Sequence, residues 1–228
     1  MSSDSLTLPR MILAATLATA ACAGRAHVTQ PVAAALPAGA TTTADPMAGH
    51  DMSNMAGHDM SGMVHLPATG GPGYTVEDVH FMQDMIGHHA QAIIMAGKAP
   101  SHGASGNVRK LAVKIAISQR DEIVFMKQWL AERKQVVPTE SQAMAMMMPG
   151  MLTPAMMTQL DASRASEFDK LFLTFMIGHH EGALAMVSTL FKAPPSGQDP
   201  EIFRFATDVD TDQRAEIYVM HELLDTIR

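Results

Sequence analysis

Apolar residues recur with a helical period along most of the chain after residue 74, and we find no segment with the alternation typical of a strand. Thr75 with Asp78 resembles a capping box at the start of the first helix. Thr153 and Pro154 are typical of the start of a short helix. The pattern also predicts four long helices, at 74–97, 105–134, 165–192 and 199–228.

Two blocks of the predicted helices occur twice, in the same order. FMQDMIGHHAQAIIMA at 81–96 matches FLTFMIGHHEGALAMV at 172–187, and both contain MIGHH. LAVKIAISQRDEIVFMKQWL at 111–130 matches FATDVDTDQRAEIYVMHELL at 205–224 through a shared Q-R-x-E-I-x-x-M. We therefore expect two duplicated helical hairpins, with repeat halves 74–135 and 165–228, packed into an all-α four-helix bundle over residues 74–228.

The first 23 residues are typical of a signal peptide. Arg10 precedes the apolar run MILAATLATAACA at 11–23, which is too short to span a bilayer. The run ends in an A-x-A cleavage pattern, and Cys22, the only cysteine, also stands where a bacterial lipoprotein is acylated. We expect a periplasmic or otherwise extracytoplasmic protein, attached to a membrane only by a lipid anchor at Cys22, if at all. Either cleavage leaves no free thiol for metal binding.

Residues 24–73 have a composition that cannot build a core, so we expect a disordered Met/His-rich arm. The phrase MAGHDMS occurs twice in it, at 47–53 and 55–61. A disordered segment has no packing reason to retain methionine, although low-complexity sequence remains the alternative. We expect these residues to gather copper interchangeably, with none essential alone: Met47, His50, Met52, Met55, His58 and Met60.

The MIGHH motifs place two histidines side by side in a helix. Adjacent helical residues point about 100° apart, so the two histidines belong to different faces. The second histidine of each pair, His89 or His180, lies among aliphatic residues. The first shares its face with methionines in both copies, and these stripes contain Met85, His88 and Met95, and Met176, His179 and Met186.

Methionine beside histidine is a combination that suits copper. The thioether is a soft ligand that favours Cu(I), and imidazole suits either oxidation state of copper. Methionine at helical spacing is more often core packing, and packing is the better interpretation of Met126 and Met220 when each is considered alone. For the duplicated Met85 and Met176, ligation and packing remain open alternatives.

The second histidine of each pair has a candidate carboxylate partner. Glu122 and Glu216 occupy equivalent positions in the second duplicated block. They could orient His89 and His180, as carboxylates do for metal-bound histidines. Alternatively, each glutamate pairs with the arginine two residues before it or faces water.

Glycine precedes the histidine pair in both copies, at Gly87 and Gly178. A glycine inside a helix costs about 1 kcal/mol relative to alanine. We therefore expect a close helix approach at these positions, or room for something beside the histidines.

The overall charge limits the classes of partner. The net charge is −7 at pH 7, and the sequence contains no basic stripe. We therefore expect no nucleic acid partner. The chain contains 21 methionines, which is unusually many, and their concentration near histidines indicates metal binding.

The duplicated M-I-x-H-H-x-x-A-x-x-M and Q-x-x-E-I-x-x-M, with an M-P-G-M connector between them, resemble the domain of unknown function 305 family over residues 75–228. That family includes CopM-type periplasmic copper-binding proteins. The resemblance implies a ferritin-like four-helix fold, export, and copper binding through methionine and histidine. Carried over residue by residue, it implies metal ligands at Met85, His88, His89, Met95 and Met126, and at Met176, His179, His180, Met186 and Met220.

We expect a copper-binding protein without enzymatic activity, which sequesters or carries Cu(I), and also Cu(II), and which exchanges copper with other envelope proteins. One alternative is a di-iron or di-manganese oxidase, but such sites use two Glu-x-x-His motifs and only Glu77 with His80 fits. A second alternative is an envelope interaction module in which methionine only fills the core.

Overall fold

The structure is a computed structural model and describes residues 65–227. The predicted signal peptide at 1–23, Cys22 and the arm as far as residue 64 lie outside the described residues. Within 65–227 the fold is all-helical, without strands. The helices are α1 (Val76–Gly97), α2 (Gly106–Glu132), α3 (Glu140–Ala145), α4 (Pro154–Ala162), α5 (Ala165–Lys192) and α6 (Pro200–Thr226).

The helix starts confirm the predicted capping signals. The Asp78 backbone N–H donates to Thr75 Oγ1 at 3.1 Å, and the Thr75 N–H donates to Asp78 Oδ2 at 2.8 Å. Thr153 caps α4, with Pro154 in its first turn. These side chains satisfy backbone N–H groups that have no partner inside the helix, which fixes where the helices begin.

The long helices pack as two hairpins, α1 with α2 and α5 with α6, and the hairpins contact through α1 and α5. The first half of α1 shares a core with the second half of α5, so these two helices run antiparallel. The core divides into two parts. The Trp129 cluster includes Phe81, Met85, Met126, Trp129, Met186 and Phe205. The Phe168 cluster includes Met95, Ile115, Phe168, Phe172, Met176 and Met220.

A connector between the hairpins, residues 139–153, contains α3, which the hydrophobic pattern did not predict. Its sequence signal is a second capping box, because Thr139 and Gln142 bond each other's backbone N–H groups. The connector approaches Gly87, where a Cβ atom would lie 2.5 Å from the Ala143 carbonyl oxygen. Gly150, with φ of +77°, lies against Gly178 and Gly182 of α5. The predicted close approach at the glycines is therefore made by the connector.

The arm is shorter than the sequence predicts, because residues 65–73 pack on the helices. We call this segment the strap. The Gln83 amide donates to the Pro67 carbonyl at 3.2 Å, and the Thr69 N–H donates to Gln135 Oε1 at 3.1 Å. Residues 65–73 are therefore packed chain, although the sequence predicts packing only from Tyr74. Composition alone missed this, since the strap is held by hydrogen bonds and not by large apolar residues.

No helix between residues 65 and 227 is both long enough and apolar enough to cross a lipid bilayer.

The contact between the connector and α5 predicts a specific cost at Gly182. A Cβ atom there would overlap the Pro149 carbonyl group, which is backbone and cannot rotate away. We expect Gly182→Ala to lower the free energy of unfolding by about 1–3 kcal/mol, despite the better helix propensity of alanine. Gly97→Ala is the matched control, since nothing lies within 4 Å of its Cβ position. Denaturant unfolding followed by circular dichroism measures both, and equal stability of the two variants would contradict the contact.

Candidate metal centre

The four histidines of the two MIGHH motifs lie at the middle of the core, between the Trp129 and Phe168 clusters. Helix α1 supplies His88 and His89, helix α5 supplies His179 and His180, and all four have 0% exposed surface. The rings of His88 and His179 face each other, with centroids 3.9 Å apart and an interplanar angle of 41°. The duplication therefore brings its two equivalent histidines together across the α1–α5 contact.

Glutamates from the neighbouring helices hold the outer histidines. Glu122 of α2 contacts Nε2 of His89, and Glu216 Oε2 of α6 lies 2.8 Å from Nε2 of His180. Arg214 instead forms an i,i+4 pair with Asp210, at 2.8 Å. Of the two alternatives for these glutamates, the structure therefore shows the histidine pairing in both halves.

The hydrogen bonds leave ring nitrogens without partners. A carboxylate can only accept, so Nε2–H of His89 and of His180 donates and Nδ1 carries the lone pair. His88 likewise donates from Nε2 to the Pro149 carbonyl oxygen, at 3.0 Å. Nδ1 has no hydrogen-bond partner in any of the four rings, and His179 has none at either nitrogen. Buried nitrogens without partners are costly, and they are the atoms with which imidazole binds a metal.

Burial favours the neutral form of three of these imidazoles, those of His88, His179 and His180. Removal from water, with a smaller contribution from the neighbouring His89, lowers the pKa of His88 to about 3, although the hydrogen bond to Pro149 acts in the opposite direction. Burial holds the pKa of His179 well below its ordinary value, helped by His88. Burial also lowers the pKa of His180, against the opposing effect of Glu216. A neutral imidazole needs to lose no proton before it binds a metal ion.

All six predicted bundle methionines are buried, but they are grouped differently from the sequence repeat. The sequence sets combine Met85, Met95 and Met126 in one half, and Met176, Met186 and Met220 in the other. In the structure Met85, Met126 and Met186 lie in the Trp129 cluster, and Met95, Met176 and Met220 lie in the Phe168 cluster. Each group draws on both halves, because α1 and α5 run antiparallel.

Among the residues at the centre, Pro149 of the connector was not singled out from the sequence, and its carbonyl holds His88. Met148 and Met151 of the connector are buried in the Trp129 cluster. Gln119 and Gln213 are also buried, one turn before the two glutamates, and amide atoms of both lack partners. The glutamines could have been found, because they begin the shared Q-R-x-E-I motif.

The structure leaves other predicted residues apart from this centre. The arm residues Met47, His50, Met52, Met55, His58 and Met60 lie outside the described range. Glu77 and His80, the lone Glu-x-x-His pair, line a cavity near the start of α1. Within residues 65–227, no three histidine, cysteine or carboxylate side chains are arranged to bind one metal ion in the observed conformation. The centre therefore depends on methionine sulfur or on side-chain rotation to complete a coordination shell.

The lowered pKa values predict acid sensitivity of the metal-free protein. Between about pH 3 and 6.5 the unfolded chain binds protons that buried His88 does not bind, so the stability that this residue contributes is complete above pH 6.5 and is lost as the pH falls. We expect up to about 1.4 kcal/mol per pH unit for each such histidine. Burial raises the pKa of Asp84 to about 6, so this carboxyl group stabilises the folded protein more as the pH falls. The contribution of the histidines is therefore isolated by comparing the pH dependence of the original protein with that of a histidine variant.

Denaturant unfolding of the metal-free protein at pH 7 and pH 5 measures this dependence. The double variant His88→Gln/His179→Gln should show a clearly smaller loss of stability over this range than the original protein. An equal loss in both proteins would mean that these histidines are not held neutral by burial.

Comparisons with known proteins agree with this architecture. A comparison with curated protein sequences finds no match. Among solved structures, a fragment of a DUF305 protein from Deinococcus radiodurans is 32% identical with a TM-score of 0.58, over 68% of this chain and 99% of that one. A DUF305 protein from Streptomyces coelicolor, predicted to be secreted, is 30% identical with a TM-score of 0.57, over 65% and 92%. CopM in its Cu(II)-bound form is 31% identical with a TM-score of 0.53, over 65% and 95%.

The sequence profile of one family, described as domain of unknown function (DUF305), matches residues 78–224, which hold both duplicated blocks and the connector. This chain belongs to the DUF305 family.

Proposed function

We propose that this chain is an exported copper-binding protein, without enzymatic activity, that sequesters or carries Cu(I) and also Cu(II) through methionine and histidine, and so contributes to copper resistance or homeostasis. The observation that carries the proposal is the buried layer of four histidines. A core that holds four imidazoles, with Nδ1 of every ring lacking a partner, loses stability unless a ligand binds them.

The donor set favours copper over harder ions. Neutral imidazole binds copper in both oxidation states, and thioether sulfur adds preference for Cu(I). Met85, Met126 and Met186 lie on one side of the histidine layer, and Met95, Met176 and Met220 lie on the other. The related CopM has been solved with Cu(I), with Cu(II) and with silver, another soft ion. Methionine as core filler accounts for the sulfur atoms but not for the histidines between them.

The four long helices would form a four-helix bundle of the ferritin-like type, with the histidine layer at its middle. Two hairpins in contact through α1 and α5, with antiparallel neighbours, are the arrangement such a bundle requires. The signal-like segment at 1–23 supports export, with a lipid anchor at Cys22 as one form of retention. The arm would gather copper outside the cytoplasm and supply it to the bundle, which could exchange it with other copper-handling envelope proteins.

Binding fits this centre better than catalysis. All four histidines are fully buried, which leaves an organic substrate no access to a bound ion in this conformation. A di-iron or di-manganese oxidase would need two Glu-x-x-His motifs facing the core. The single example, Glu77 with His80, lines a cavity at the start of α1 instead.

Copper titration of the full chain tests the histidine centre, provided that arm sites are removed first. In a background with serine at the six arm positions 47, 50, 52, 55, 58 and 60, we expect His88→Ala/His179→Ala to weaken Cu(I) binding at least tenfold against a chromogenic chelator. The reason is that these two facing rings supply the unpartnered nitrogens at the α1–α5 contact.

His221→Ala is the matched control, because His221 lies exposed on α6. It should leave Cu(I) affinity unchanged. Equal affinity of the double variant and the control would remove the histidine layer from copper binding. Stoichiometric iron in place of copper in the purified protein would favour the oxidase, and no stoichiometric metal would favour an interaction module.

A further inference from the structure

A second group of metal-binding side chains lies where the strap meets α1. The strap contributes His65, and α1 contributes His80 and Asp84. Nδ1 of His65 lies 3.1 Å from Asp84 Oδ2, and the rings of His65 and His80 stack with centroids 4.4 Å apart. These three residues, with Glu77 and Met186, line one cavity of about 160 Å³. We call this group the junction.

The internal duplication provides a control for this observation. The positions equivalent to Glu77, His80 and Asp84, 91 residues further along, are Phe168, Leu171 and Phe175. Those three side chains are buried in the Phe168 cluster, where they close that end of the bundle with apolar surface. The helix packing therefore does not require polar residues at the junction, since the second copy has buried apolar residues at the equivalent positions.

Asp84 is the member of the group that a purely structural explanation fits least well. It is only 4% exposed, and an isolated buried carboxylate costs stability unless it has a compensating partner. The side chain nearest to its carboxylate is His65, which comes from the strap and not from the helix bundle. Apolar residues at this position, as in the second copy, would avoid that cost.

We propose that His65, His80 and Asp84 bind one Cu(II) ion at the junction. Two imidazoles and a carboxylate are ligands suited to Cu(II). In the metal-free arrangement the two rings are stacked, so the His80 ring must rotate for both to direct a nitrogen at one ion. The cavity beside them provides the space for that rotation, and solvent or Glu77 can complete the coordination.

The position of the junction gives it a role as an inlet, and this role rests on the proposed function. By sequence, the methionine and histidine tract that begins at Met47 ends at His65, one of the junction ligands. On its other side the cavity is lined by Met186, which lies with Met85 and Met126 in the Trp129 cluster. Copper donors are thus continuous from His65 to the methionines of the Trp129 cluster.

Cu(II) titration of the full chain, followed by electron paramagnetic resonance, tests the site. With serine at the six arm positions, we expect a Cu(II) signal with two nitrogen couplings that accounts for one ion at the junction, and His65→Ala/His80→Ala to lose that equivalent. Asp84→Asn, which keeps the side-chain shape and guards against loss of folding, should weaken the same ion at least tenfold. His221→Ala, at an exposed position, should change neither. Unchanged Cu(II) stoichiometry and affinity in both junction variants would overturn the proposal.

Cu(I) binding, measured in the same variants, separates the junction from the core. Full Cu(I) binding by His65→Ala/His80→Ala, with its Cu(II) ion lost, supports a distinct junction site. Retention of the junction Cu(II) ion in a His88→Ala/His179→Ala chain also supports it, even if Cu(I) binding by the core proves absent. Loss of the Cu(II) ion in the core variant but not in the junction variant would overturn the junction and leave the core proposal standing.

Discussion

Four imidazole rings buried between two apolar clusters are the feature on which the rest of this structure depends. Burial lowers the pKa of His88, His179 and His180, because a charged imidazole at these positions would lose its hydration. Groups on the neighbouring elements accept hydrogen bonds from three of the rings. Glu122 and Glu216 accept from the outer rings, and Pro149 accepts from His88. The glycines that let the connector lie against α1 and α5 thereby also bring a carbonyl to the histidine layer.

The antiparallel arrangement of the two copies explains why duplication yields one centre and not two. Equivalent histidines meet at the middle of α1 and α5, at the pseudosymmetric position. On either side of these histidines, methionines of one copy pack with methionines of the other, so each cluster contains residues from both halves. The junction departs from this symmetry, since it replaces apolar residues of one copy with histidine and carboxylates in the other.

Helical period, capping residues and repeats were enough to predict the four long helices and the start of α4, and to place Glu122 and Glu216 at equivalent positions, although not to choose their partners. Each of these depends on spacing within one helix or on equivalence between copies. The strap and Pro149 were missed because they depend on hydrogen bonds between distant segments, such as Gln83 with Pro67. Helix α3 was missed although its capping box is local, because it is only six residues long and shows no clear apolar period. The clustering of methionines from both halves does not follow from the sequence, because relative helix direction across the hairpins is a tertiary property.

The central claim is that copper is held by imidazole nitrogen together with thioether sulfur inside the bundle. X-ray absorption at the copper edge, on the Cu(I)-loaded full chain with serine at the six arm positions, measures the ligand atoms directly. The account predicts a first shell that contains both nitrogen and sulfur. A shell of nitrogen and oxygen alone, or of sulfur alone, would contradict it.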